Sequence, residues 1–218
     1  MGMSMNKAMA LLSGLAVAGC SVVGVRGGTE EPPYTVDARI GDTTTGEVEV
    51  RTYVPRLAAE TLVDADEEAA RNAGFRRLAA YIFGGNTAKQ DIAMTAPVAQ
   101  TSESIAMTAP VAQESVTPGR WRIRFFMPGR YTLATLPRPN DSAVDIVEVP
   151  AQQVAVLRFT GDRSAAAVAV KQRLLLDALA AAPWRPDSPA SAWFYDPPWT
   201  LPWLRRNEVS VPVVARTR

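Results

Sequence analysis

Two stretches of the chain, 97 residues apart, run through the same order of patterns. Val50 falls on Val147, Leu57-Ala58-Ala59 on Val154-Ala155-Val156 and Leu62 on Phe159, and a helical period follows in each half. Few letters are identical across this offset, so the order of elements carries the repeat. In the first half, residues 47–54 alternate polar and apolar and 57–63 extend the pattern, which predicts a strand or a bent strand pair. A helix follows: Asp64 caps it with Glu67 completing a capping box, Phe75, Leu78, Ala79 and Ile82 recur at helical spacing, and Gly84 stops it. Residues 121–127 alternate again.

The second half opens at 131–136, turns at 137–141 and gives strands at 144–149 and 154–159. Its helix is capped by Asp162 or Ser164, turns Val168, Leu175, Leu176 and Leu179 inward, and ends before Pro183, and strands at 190–195 and 208–213 complete the unit. Two such units bury their helices best against one shared, strongly twisted antiparallel sheet. A cleft between pseudo-symmetric halves is a common place for a small molecule.

A second repeat is literal. IAMTAPVAQ stands at 92–100 and again at 105–113. Each copy alternates, which predicts two half-buried strands with Pro97 or Pro110 at an edge or bulge. The short Thr-Ser-Glu-Ser link predicts a hairpin with pairings such as Val98 facing Ile105, both Met faces inward.

What the chain lacks narrows its chemistry. With no histidine there is no Ser-His or Cys-His nucleophile pair and no His ligand for zinc or haem iron. Lys and Arg number 23 against 22 Asp and Glu, too even a balance for a nucleic-acid binder. No carboxylate pair stands out as an acid and base and no glycine-rich loop opens a helix to receive phosphate, so binding without catalysis is expected. The single cysteine, Cys20, excludes a disulfide framework.

The N-terminus reads as an address. Lys7 precedes a largely apolar run over 8–19, and at roughly 1.5 Å per helical residue twelve residues cannot cross a ~30 Å hydrocarbon core. Residues 1–19 are therefore expected to be a signal peptide. Val17-Ala18-Gly19-Cys20 resembles a bacterial lipobox, which implies cleavage before Cys20 and lipidation of it. Several acyl chains anchor stably where one is marginal. Ser21 after the cysteine fits sorting to the periplasmic face of the outer membrane, and the Gly-, Glu- and Pro-rich stretch over 20–33 reads as a lipidated tether.

Several stretches, in order, resemble the SOUL haem-binding protein family: Tyr81-Ile-Phe-Gly-Gly-Asn86, Ile92-Ala-Met-Thr-Ala-Pro-Val98, Phe126-Met-Pro128, Phe159-Thr-Gly161, and Tyr195-Asp-Pro-Pro-Trp199 leading to Arg205-Arg-Asn-Glu-Val209. They assign a single domain over 34–218. The resemblance implies an α+β fold in which a duplicated strand-helix-strand unit forms a distorted antiparallel β-barrel flanked by two α-helices. It implies a haem or other tetrapyrrole ligand, bound by a monomer through apolar contact on the first helix and the loop before the last strand. Here those positions are Arg71, Phe75, Leu78 and Ile82, with Tyr195, Trp199, Trp203, Arg205 and Arg206. Iron ligation would fall to a Tyr, a Met or no residue, and Tyr81 and Tyr195 are the tyrosines nearest that pocket.

Read as residues alone, each candidate keeps a second role. Phe75, Leu78 and Ile82 suit plain core packing, and the loop over 193–208 could close one end of a barrel or rest its tryptophans at a membrane interface. An effector-type module for another flat compound, and an envelope interaction protein with a filled barrel, are the alternatives to haem binding.

Overall fold

The computed structural model describes residues 29–41, 46–102, 119–196 and 199–216. The strands are β1 (Tyr34–Ile40), β2 (Val48–Tyr53), β3 (Arg56–Asp64), β4 (Val98–Ser102), β5 (Arg120–Phe126), β6 (Asp145–Val149), β7 (Gln152–Phe159), β8 (Trp184–Pro186), β9 (Ser191–Phe194) and β10 (Asn207–Ala215), and the helices are α1 (Glu67–Ile82) and α2 (Ala165–Ala180). They form one antiparallel sheet in the order β1-β2-β7-β10-β9-β4-β5-β3-β6, with β8 pairing to β10. Beyond β1, this order is a palindrome of two units: β2, β7, β10 and β9 match β6, β3, β5 and β4. The registers repeat too, Val50 opposing Ala155 and Ala58 opposing Val147, each residue 97 from its counterpart.

The links between strands force the sheet to curl. β2 and β3 lie six strand positions apart. In a flat sheet that is ~29 Å at about 4.8 Å per strand. Yet only Val54 and Pro55 join them, and three Cα steps span at most about 11 Å. Pro150 and Ala151 impose the same closure from β6 to β7. The expected distorted barrel flanked by two helices is what the chain builds.

Alternation along the strands then sorts side chains. One face carries Val48, Val50, Leu157, Val209 and Val211 against Val168, Leu175 and Leu179 of α2, and Ile123 and Phe125 against Leu78 and Ile82 of α1. The other face gathers Tyr53, Ala58, Phe126, Val149, Val154 and Trp193 from six strands into one cluster, which only a concave surface allows. Trp193 sits edge-on to both Tyr53 and Phe126, with ring centroids 5.6 and 6.1 Å away.

Several local expectations change. Asp66, not Asp64, caps α1 by accepting from Ala69 N at 2.8 Å, because Asp64 still pairs with Arg120 in the sheet. Ser164 caps α2. Residues 131–136 form turns and no strand: Thr132 and Thr135 bond each other's backbone and side chains and outcompete a ladder. Strands β1 and β8 were not foreseen. Only the end of the first IAMTAPVAQ copy is strand, and the hairpin expected between the copies does not form at Val98. Both edges of β4 are taken, Val98 opposing Phe125 on one side and Phe194 on the other, so Val98 cannot face Ile105. The second copy lies outside the described residues.

The YIFGGN stretch is spent on ending α1. Gly84 turns the chain at a φ of 93°, and Gly85 N donates to Ala80 O at 2.9 Å. The buried Asn86 amide donates to Tyr81 O and Gln90 O and accepts from Gln90 N. Among the described residues no helix is long and apolar enough to cross a membrane.

Gly74 lets α1 lie on β5, since a Cβ there would come within 2.4 Å of Ile123 Cγ1. An added methyl gains up to about 1 kcal/mol of helix propensity, against about 1–3 kcal/mol for overpacking a filled core. Gly74→Ala is expected to lower stability by about 1 kcal/mol net, and Gly74→Val by more, seen as a lower urea midpoint at unchanged slope.

Candidate functional site

The nine residues nominated from sequence divide into three groups. Leu78 and Ile82 are fully buried between α1 and β5 and belong to the core. Tyr195 and Arg206 turn to the concave side of the sheet. Arg71, Phe75, Trp199, Trp203 and Arg205 remain at the surface of α1 and the loop ahead of β10.

Arg163, which sequence reasoning passed over, joins the two parts of that surface. Arg71 Nη1 donates to Arg163 O at 3.3 Å. Both guanidinium groups lie over the Phe194 ring, 5.1 and 5.7 Å from its centroid. Arg163 Nη1 reaches Asp196 O at 3.3 Å, and Gly161 N donates to Pro202 O at 2.9 Å, pinning the start of α2 to the loop. Arg205 Nε donates to Thr200 O at 2.7 Å. Burial first, and then the charges of Arg71 and Arg205, pull Arg163 down to about 10, so three cations are held close together. Beside them a short 3-10 turn, Pro202–Leu204, presents Trp203 to solvent. Trp203 is 67% exposed and Trp199 63%, whereas Phe75 keeps one edge against Phe125.

On the concave side Glu208, fully buried, is the hub. Arg51 forks onto it with Nη1 and Nη2 at 3.0 and 3.2 Å, Tyr195 Oη donates at 2.6 Å, and Arg206 donates through Nε and Nη2 at 3.1 and 2.9 Å. Arg206 lies over the Tyr195 ring at 3.8 Å and also pairs with Glu31. Burial opposes the charge on Arg51, but the Glu208 carboxylate outweighs it and raises its pKa. Burial, reinforced by Glu208, pushes the Tyr195 phenol well above its ordinary value. Glu31, placed in the tether by sequence, is thus held to the folded domain, as is Glu30, which accepts from Gly129 N at 2.6 Å.

Two clefts avoid all nine nominated residues, whereas a third, of about 430 Å³, is lined by Arg206 with Arg51 and Glu49. Of the first two, one of about 430 Å³ lies in the concave face, walled by Arg56, Arg122, Arg124, Phe126 and Trp193 among others. The other, about 780 Å³, opens at the barrel mouth around Val54, Pro55, Leu57, Met127, Leu133 and Pro150, with Glu30 and Glu148 outnumbering Arg56.

With this geometry in place, the sequence over 29–212 matches the family model described as SOUL heme-binding protein. The chain belongs to the SOUL family. Among curated proteins no sequence matches it. Of solved structures, the C-terminal domain of EcmrR is similar at a TM-score of 0.57 and 8% identity, covering 78% of this chain and 98% of that one. An uncharacterized conserved protein from Listeria innocua gives 0.55 and 14%, over 77% and 92%. A protein titled a hydrolase from the same organism gives 0.51 and 12%, over 77% and 91%. These likenesses concern the fold alone.

In this SOUL domain most of the tyrosine and methionine donors nearest the nominated site are already committed to protein contacts. The Tyr195 hydroxyl is committed to Glu208, and the buried Tyr81 hydroxyl donates to Pro137 O at 2.7 Å. Met127 is packed in the core of α1. Met94 is exposed, and Met107 lies outside the described residues. Among the described residues no cluster of His, Cys, Asp and Glu is arranged to hold a metal ion.

Glu208→Ala removes the buried carboxylate shared by Arg51 and Arg206 but leaves each a second partner, Glu49 and Glu31, so the cost falls at the low end of the range of about 3–5 kcal/mol for breaking a buried pair from one side. Denaturant unfolding is expected to report a loss of that size, larger than for Glu31→Ala, which removes a partner nearer the rim.

Proposed function

We propose that the protein binds haem or a related tetrapyrrole, without catalysis, across the face made by α1 and the loop over 199–206. The observation that carries this reading is the pairing of two largely exposed tryptophans with the Arg71, Arg163 and Arg205 cluster. A flat macrocycle covers aromatic surface, and its propionates take charge-assisted bonds from arginine. Family membership supports the ligand class.

Titrating the purified protein with haemin is expected to shift the Soret band saturably. Arg205→Ala and Trp199→Ala should each weaken binding about tenfold, or about 1.4 kcal/mol. Tyr195→Phe should leave the bound spectrum unchanged, because no phenolate is engaged. A linear, unsaturable haemin response would reject the reading.

The same proposal places the domain at the bacterial envelope, anchored through lipid on Cys20 at the periplasmic face of the outer membrane. Its support is the lipobox-like Val17-Ala18-Gly19-Cys20 after an apolar run too short to span. Cys20→Ala is expected to abolish incorporation of labelled palmitate and to release the protein from the membrane fraction. Retention in that fraction without label would count against the anchor.

A further inference from the structure

The concave cavity holds a cation that the fold leaves unanswered. Arg56 opens β3 just after the Val54-Pro55 link, and its side chain turns inward between two rings, 4.5 Å from the Tyr53 centroid and 4.7 Å from that of Phe126. Its Nη1 reaches only Val54 O, at 3.4 Å. Nε and Nη2 are buried and have no hydrogen-bond partner among the described residues, so the guanidinium charge is left without a bonded counter-charge there. Burial, with the charge of Arg124 adding to it, brings Arg56 down to about 10, whereas Arg51 on the same face is raised by Glu208.

The surroundings share the excess of positive charge. Arg122 and Arg124 line the same cavity, and both share the one carboxylate of Glu60, at 3.6 and 2.6 Å. Arg56, Arg122 and Arg124 all line the cavity, and no acidic side chain is among the described residues that line it. The remaining wall is Ala99, Phe126, Val149, Val154, Trp193, Pro189 and Pro212, with hydroxyls of Ser188, Ser191 and Ser210. A volume of about 430 Å³ falls within the range of small-molecule sites. Where burial alone is the purpose, a hydrocarbon of similar size does better than an unpaired guanidinium.

We infer that this cavity is a second binding site, for a compact organic carboxylate whose apolar or aromatic body packs against Trp193 and Phe126 while its carboxylate meets Arg56. The site is separate from the α1 and loop face, and the inference does not depend on the tetrapyrrole reading.

Calorimetric titration with 1-naphthoate tests it, with 1-naphthylmethylammonium and inorganic phosphate as parallel probes. Saturable one-to-one binding of naphthoate is expected, at least tenfold tighter than phosphate and with no saturable binding of the ammonium compound. Arg56→Met should weaken naphthoate at least tenfold while leaving the thermal midpoint level or higher, since an unpartnered buried cation is removed. Ser188→Trp, on an exposed loop at the cavity wall, should weaken it by obstruction without altering any charge. Both variants should retain the parent Soret response to haemin, and Arg205→Ala should retain naphthoate binding. The inference is overturned if naphthoate does not saturate, if the cation binds as well, or if Ser188→Trp and a folded Arg56→Met bind like the parent. Should Arg56→Met fail to fold, unchanged binding in Ser188→Trp alone overturns it.

Discussion

Two dipeptides govern this architecture. Val54-Pro55 and Pro150-Ala151 each tie strands that the hydrogen-bonding order places at opposite ends of the sheet. Neither link can span a flat sheet, so the sheet closes on itself and one of its faces becomes an interior. The helices, which need an apolar face, then occupy the outside, and α1 and α2 do so at equivalent places in the two halves. A side chain on the inner face is stable there when it is apolar and packed or polar and paired, and Arg56 is the exception. Glu208, with its two arginines and a tyrosine, meets the second condition, and the Tyr53, Phe126 and Trp193 cluster meets the first.

This division explains what could be read from the sequence. The repeat at 97 residues was legible because strand alternation and helix period recur in the same order, and the paired registers of Val50 with Ala155 and Val147 with Ala58 preserve it. Which residues share a helix face was legible as well. What that face meets was not: the spacing of Leu78 and Ile82 is the same whether a ligand or β5 lies beneath. Tyr195 and Arg206 were misplaced for a related reason, since a loop's composition names its side chains without saying on which side of the sheet each emerges. Glu208 carries no local sign of its role as a hub, because one of its partners, Arg51, is 157 positions away. Arg163 and Arg56 carried no local mark in a chain with twenty arginines. The doubled IAMTAPVAQ misled in the other direction, because identity between copies says nothing about whether the edge one copy needs has already been taken.

The two faces of the molecule also divide its chemistry. The outer face of α1 and the adjoining loop combine exposed tryptophans with clustered arginines, the features on which the proposed tetrapyrrole site rests. The inner face offers a smaller, partly polar chamber lined by a different set of arginines. Because the sheet itself separates them, side chains on the two can vary with little direct contact.

The clasp of Glu30 and Glu31 onto Gly129 and Arg206 sets a length scale. For a chain anchored at Cys20, only nine residues lie between the anchor and Glu30 of this clasp, a leash of at most about 36 Å even when fully extended. Under the proposed lipid anchor, a domain held so closely would sample a thin shell above the bilayer. Its encounters would then be with molecules in or leaving the membrane surface, at a local concentration fixed by the leash and not by the surrounding volume.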